Sequence, residues 1–191
     1  MAKRLLLVLM AACGGAAKAP PAQLQISEQG VGALTAQTLA TVDGVRAAFP
    51  GYDVKRVDTP DGPEIHVARG PDDLLYIVPQ LRGTSILNVH VTSAHVLWGE
   101  HGWQIGAAFK GGTDAITNCE CWGPRRDRPG HNVCYRKGEH VAIGFERECR
   151  DETEELPAIL ADVAGKPIKL VVWSPSPFGE KSNAPVKDET P

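Results

Sequence analysis

The first thirteen residues, Met1-Ala-Lys-Arg-Leu-Leu-Leu-Val-Leu-Met-Ala-Ala-Cys13, constrain the rest of the chain most. Lys3 and Arg4 form a positive n-region. Residues 5–12 are an apolar run, shorter than the about 20 residues a helix needs to cross a bilayer. Small residues, Ala11 and Ala12, mark a cleavage site. This layout is an export signal, and export decides the chemistry in which the domain folds. Outside the cytoplasm thiols are oxidised, so cysteines become cross-links. Four cysteines stand in the body: Cys119, Cys121, Cys134 and Cys149. An even set in an exported chain reads as two disulfides, and sequence alone allows three connectivities. A loop of about 15 residues closed in this way gains roughly 3 kcal/mol by the loop-closure argument. With Gly 20 and Pro 15 among 191 residues, the chain is rich in turns and gains from such staples.

The fifth cysteine, Cys13, directly follows the small residues and resembles the acylated cysteine of the bacterial lipobox. Met10 stands where Leu, Val or Ile is usual. The resemblance implies cleavage before Cys13 and lipid on its thiol and new amino terminus. Each buried acyl methylene contributes about 0.8 kcal/mol, so two or more chains hold where one does not. Residues 1–12 are thus expected to be a signal peptide. Residues 13–23 form a tether, flexible at Gly14-Gly15 and stiffer at Pro20-Pro21. Gly14 rather than Asp after the cysteine implies the outer membrane in lipoproteins of enteric type. The expected location is therefore the outer membrane, lipid-anchored and facing the periplasm. No later stretch is apolar and long enough to be a second anchor. Losing Lys3 and Arg4 takes the net charge from -3 to -5, a mild acidity with no electrostatic case for nucleic acid.

The body, residues 24–174, is long enough for one domain. Leu24, Ile26 and Val31 indicate a first strand. Leu39, Val42, Val45 and Phe49 recur at helical spacing, with Thr38 or Thr41 as cap and Pro50-Gly51 as stop. Alternating runs at 52–57 and 64–68 predict strands. The continuous apolar run 74–78 predicts a strand covered on both faces. Residues 86–91 predict another, extending towards Val96. Ile105 and Phe109 re-enter the core after a glycine-rich loop at 99–106. Residues 133–135 pair with 141–145 through a turn at Lys137-Gly138. A helix at 156–163 and a last strand at 168–173 follow. Residues 175–191, rich in proline and charge, are expected to be a disordered tail. The expected fold is α+β: mostly antiparallel sheet with one or two short helices, stapled by disulfides.

The candidates for chemistry are few. No serine sits in a G-x-S-x-G elbow, and neither a P-loop nor an H-E-x-x-H pattern occurs. No enzyme and no cofactor are expected. Zinc on four thiolates is disfavoured, because structural sites space paired cysteines by two to four residues and only Glu120 separates Cys119 from Cys121. His66, His90, His95 and His101 carry metal-binding imidazoles. On strand 86–91, however, Leu87, Val89 and Val91 share one face, and His90 lies opposite with Asn88 on an ordinary polar face. No metal is expected. Trp98 and Trp103 flank Gly-Glu-His-Gly, so Trp98, His101 and Trp103 are candidate binding residues; indoles there serve equally to close the core. Arg125, Arg126 and Arg128, and Asp151, Glu152, Glu154 and Glu155, read as solvated faces.

A family resemblance rests on the run Ile26-Ser-Glu-Gln-Gly-Val-Gly-Ala-Leu-Thr-Ala-Gln-Thr38 ahead of a short helix. Gly102-Trp-Gln-Ile-Gly106 with Phe109, Asn118-Cys119, Cys134, the strand at Phe145 and Val171-Val-Trp173 continue it. Over residues 26–173 the chain resembles the RpoE-regulated lipoprotein family, bacterial envelope proteins of unknown function. The resemblance implies a Cys119–Cys134 bond, leaving Cys121 to pair with Cys149. It also implies an outer-membrane location linked to envelope stress, and no enzyme. The expected function is a non-enzymatic envelope lipoprotein. Its partners are the membrane, through the N-terminal lipid, and an envelope protein or cell-wall component that it binds or supports. The alternative is a periplasmic carrier of a small ligand or metal.

Overall fold

The computed structural model describes residues 24–98, 103–110, 116–122, 131–147 and 155–180; the side chains of Cys121 and His131 are outside that set. In chain order the elements are β1 Leu24–Ser27, β2 Gly30–Val31, β3 Leu34–Thr35, α1 Val42–Ala48, β4 Asp53–Thr59, β5 Gly62–Arg69 and β6 Asp72–Pro79. Then come β7 Ile86–Val91, β8 Val96–Trp98, β9 Asn118–Trp122, β10 His131–Tyr135, β11 Val141–Glu146, α2 Leu156–Val163 and β12 Leu170–Trp173. The fold is a mostly antiparallel α+β domain with two short helices and a disulfide, as the sequence predicts.

The large sheet runs β4-β5-β6-β7-β12-β11-β10-β9, and each pairing is antiparallel. Side chains alternate between faces along a strand. The register therefore writes out one row of residues per face. Val54, Val67, Leu75, Val91, Val171, Ile143, Cys134 and Cys119 lie side by side on the main core face. One residue along each strand gives Lys55, His66, Tyr76, His90, Val172, Ala142, Tyr135 and Asn118 on the other. The first row is apolar from end to end, and a one-residue slip anywhere would exchange the two. On β6 the core-face residues Leu75 and Ile77 are buried while Tyr76 and Val78 opposite them are half-buried, so the strand is covered fully on one face and partly on the other.

The main core is closed by a small sheet, β3-β2-β1-β8, and by both helices. The strand at 86–91 does not continue to Val96. The Ser93 hydroxyl accepts from the His95 N–H at 3.2 Å, and the Val96 N–H donates to the Ser93 carbonyl at 3.2 Å. This local turn chemistry redirects the chain. Val96–Trp98 then pairs in parallel with β1, with Leu24 against Val96 and Ile26 against Trp98. Glu28, in the β1–β2 turn, ties the two sheets together. Its carboxylate accepts from the His140 N–H at 2.7 Å, and its carbonyl accepts from the Trp173 indole at 3.3 Å.

Helix α1 starts at Thr41, whose hydroxyl accepts from the Gly44 N–H at 3.1 Å. An N-cap of this kind satisfies a donor the helix cannot. Val45 and Phe49 enter the core, while Leu39 falls outside the helix and is exposed. Helix α2 has Pro157 in its first turn, where a missing N–H is tolerated, and buries Ile159 and Val163. Close approach requires glycine at positions that include Gly30 and Gly144. A Cβ on Gly30 would lie 1.8 Å from the Leu34 carbonyl oxygen, and one on Gly144 would lie 2.9 Å from the Leu170 Cβ.

Residues 175–180, expected in the tail, are part of the folded body. Phe178 stacks on Tyr135 at 5.1 Å. Its N–H donates to the Glu139 carbonyl at 2.8 Å, and its carbonyl accepts from Gly138 at 2.9 Å. Between Pro175 and Pro177 the chain bends, with the Ser176 N–H donating to the Ser174 hydroxyl at 3.3 Å. Among the described residues, no helix is long and apolar enough to cross a membrane.

Candidate functional site

The second face of the large sheet carries a row that begins polar and aromatic, runs through apolar Val172 and Ala142, and ends at Tyr135 and Asn118. At the polar end Glu64, on β5, is 2% exposed. Its carboxylate lies 3.0 Å from His66 Nε2, one pleat along the same strand and hence on the same face. Asp73 approaches His66 Nδ1 at 3.7 Å. The imidazole thus sits between two carboxylates. Across β6, the Tyr76 ring stacks on His66 at 5.6 Å and on His90 at 4.6 Å. The Tyr76 hydroxyl shares a hydrogen bond of 3.0 Å with His90 Nδ1.

Trp122 completes the row from the far side of the sheet, its ring 5.6 Å from His90. Four strand spacings separate β7 from β9, about 19 Å in a flat sheet. The contact therefore requires the twist and coil that large antiparallel sheets accumulate. Beyond Trp122 the face turns apolar, with Val133, Ala142, Leu170 and Val172 packed under Trp122 and Phe178.

His90 is 7% exposed, so it is not the solvated residue that its place beside Asn88 implied. Its face is the one alternation gives; what differs is the cover, because Tyr76 stacks on one side of the ring and Trp122 meets the other. The register changes a neighbour instead. A bulge between Val78 and Pro79 sets Ile86 opposite Pro79 and Asn88 opposite Val78. Leu87 is the extra residue, and it is exposed while Ile86 is buried. Bulges re-aim side chains in this way. Downstream, Val89 and Val91 keep the core face and His90 is left between Tyr76 and Trp122.

At the other end, Tyr135 donates its hydroxyl proton to the Glu120 carboxylate and accepts from Asn118 Nδ2 at 2.6 Å. Burial first, and the bond to Glu120 second, push its pKa up to about 12. Since the folded value lies above the ordinary 10.0, the phenol stays protonated. The stability tied to it is full below pH 10.0 and declines as pH rises towards about 12.

The face therefore offers stacking surfaces with hydrogen-bonding edges and a histidine held by acids. The half-buried rings of His66, Tyr76 and Trp122 are the part of this set open to a ligand, with area from the rings and direction from their polar ends, while Glu64 and His90 are buried and support them. Among the described residues, no group of three or more His, Cys, Asp or Glu is placed to hold a metal ion.

The residues singled out in the sequence lie elsewhere. Trp98 is 2% exposed and meets half-buried Trp103 edge-on at 4.5 Å. Trp103 meets Phe109 at 6.0 Å, and Phe109 meets Phe145 at 5.3 Å. These rings close the end of the core, and Trp98 presents no surface to a ligand. His101 lies outside the described residues, as do Cys13, Cys149 and the arginine loop. Cys119 and Cys134 are bonded, as the family resemblance implies. They are direct cross-strand partners with Cα atoms 4.0 Å apart, at the β9 end of the apolar row. The pairing of Cys121 with Cys149 falls outside what is described.

No family model matches this sequence, and no curated protein does. A solved structure has the same fold. It is the uncharacterized protein yfeY from Escherichia coli, at a TM-score of 0.53 and 22% identity. The match covers 78% of this chain and 99% of that chain. At this identity the likeness to yfeY is one of fold, and it shows that the mixed architecture recurs over nearly all of a second protein.

Glu64, Tyr76 and Trp122 were not among the residues the sequence pointed to. A signal was present: Glu64 and His66 are two apart in an alternating strand, and Tyr76 interrupts an otherwise aliphatic run. Nothing local indicates that the row would gather Trp122 from four strands away.

Proposed function

We propose that this chain is a non-enzymatic bacterial envelope lipoprotein of the RpoE-regulated lipoprotein family. In this reading the lipid on Cys13 holds the domain at the outer membrane, facing the periplasm. The Glu64–His66–Tyr76–His90–Trp122 face binds or supports an envelope component, in a role linked to envelope stress. The observation that carries the reading is the Cys119–Cys134 cross-link, because a cross-strand disulfide belongs to an oxidising compartment. The fold likeness to yfeY and the residues around Cys13 support it.

Cys13→Ser tests the reading. The variant is expected to leave the membrane pellet for the soluble periplasmic fraction and to lose its cellular effect. A Cys13→Ser protein that stays with the membrane, or that works as well as the anchored form, contradicts it.

A further inference from the structure

Three large hydrophobic side chains are strongly exposed among the described residues: Leu81 at 96%, Leu39 at 56% and Leu87 at 44%. The first two lie on segments that a backbone bond holds together at one corner. Gln80 closes the β6–β7 hairpin by donating to the Ser85 carbonyl at 3.0 Å, which leaves Leu81, Arg82, Gly83 and Thr84 as its tip. The Ala40 N–H donates to the Thr84 carbonyl at 2.6 Å and so fixes Leu39 beside that tip. The tip contains no acid, and Arg82 is exposed. The nearest acid in chain order from Leu39, Asp43, is paired with Arg46 at 2.8 Å. The corner is apolar with one uncompensated positive charge.

We propose that this corner, Leu39 with Leu81 and Arg82, is a second membrane contact that docks the domain on the lipid surface carrying its own anchor. The proposal rests on the lipid at Cys13. Residues 13–23 lead to Leu24, and eleven residues reach at most about 36–40 Å. Leu24 pairs with Val96, beyond the Val91 end of β7, while the tip lies beyond the Ile86 end. That six-residue strand is about 20 Å long. The reach of the tether is nearly twice the length of that strand, which allows the tip to lie on the surface that holds the anchor.

The strength fits a tethered contact. Each leucine that leaves water gains roughly ten- to a hundredfold in partition. An arginine near an anionic surface adds roughly fivefold. Such a contact is weak for a free protein. A tether of eleven residues raises the effective concentration to the millimolar range, at which it is occupied.

The test is backbone amide exchange of the full-length lipidated protein on vesicles of phosphatidylethanolamine with a minority of phosphatidylglycerol. The reference is the Cys13→Ser chain with the same vesicles. Amides of residues 81–84 are expected to exchange about fivefold slower or more in the anchored protein. In a Leu39→Ser/Leu81→Ser variant, anchored and unanchored chains should exchange alike. If the lipidated protein floats with the vesicles and the tip exchanges as in the reference, the corner is overturned while the anchor stands. Slowing that persists in the double variant also overturns it. A full-length chain that carries no lipid and does not float overturns the anchor, and this contact with it.

Discussion

Replacing both Cys119 and Cys134 by alanine is expected to lower the unfolding free energy by about 3 kcal/mol. This is the loop-closure value for a separation of 15 residues. For a domain of this size each kcal/mol moves Tm by roughly 2–4 °C, so the melt should shift down by about 6–12 °C. The bond matters because of where it sits. Strand β9 is at the end of the large sheet and pairs within it only with β10. The staple joins directly opposed residues of these two strands and ends the apolar row, with Cys134 fully buried. Strand β9 also carries Trp122 to His90 and Glu120 to Tyr135. Loosening it should therefore uncover the polar row as well as destabilise the fold. Replacing both cysteines avoids leaving one thiol to mispair with Cys121 or Cys149. Thermal melts of the oxidised protein and the double variant decide the matter; midpoints within a degree of each other would show that the bond constrains nothing.

Trp98→Ala should lower stability further, by about 3–5 kcal/mol. Trp98 is among the largest fully buried side chains, and it begins a series of edge-on rings through Trp103 and Phe109 to Phe145. That series joins β8 of the small sheet to β11 of the large one. Removing its first member empties a volume that Ile26, its β1 partner, cannot fill from across the pairing. Trp103→Ala, at a half-buried position, should lose less. The measurement is the urea midpoint at unchanged slope. A loss below about 1 kcal/mol for Trp98→Ala would mean that the two sheets do not depend on this ring series for their packing.

Much of the fold is legible in local pattern. Residues 156–163 read as a helix and form one. The Lys137-Gly138 turn pairs β10 with β11, and Thr41 caps α1. These features depend on neighbours in sequence. What was not legible depends on distant parts of the chain. The departure of β8 from the line of β7 is fixed by a small turn at Ser93 and by a partner strand some seventy positions earlier. The burial of His90 needs Tyr76 on the next strand and the return of Trp122. Phe178 is ordered because Tyr135 offers it a face, which composition cannot express. For the site, the two loop indoles drew attention because aromatic residues beside glycines resemble binding loops. The same residues are what a small sheet needs to close a core. The cysteine pairing was reached through the family's pattern; as a bare set the four thiols left three solutions open.

The most direct test is an intact-mass measurement of the full-length protein expressed in a bacterium that processes lipoproteins, taken before and after reduction. The predicted mass corresponds to a chain that begins at Cys13, carries acyl groups, and gains at least the two hydrogens of the Cys119–Cys134 bond on reduction. A chain that retains Met1, carries no lipid and has the same mass before and after reduction would contradict the anchored, disulfide-stapled envelope protein described above.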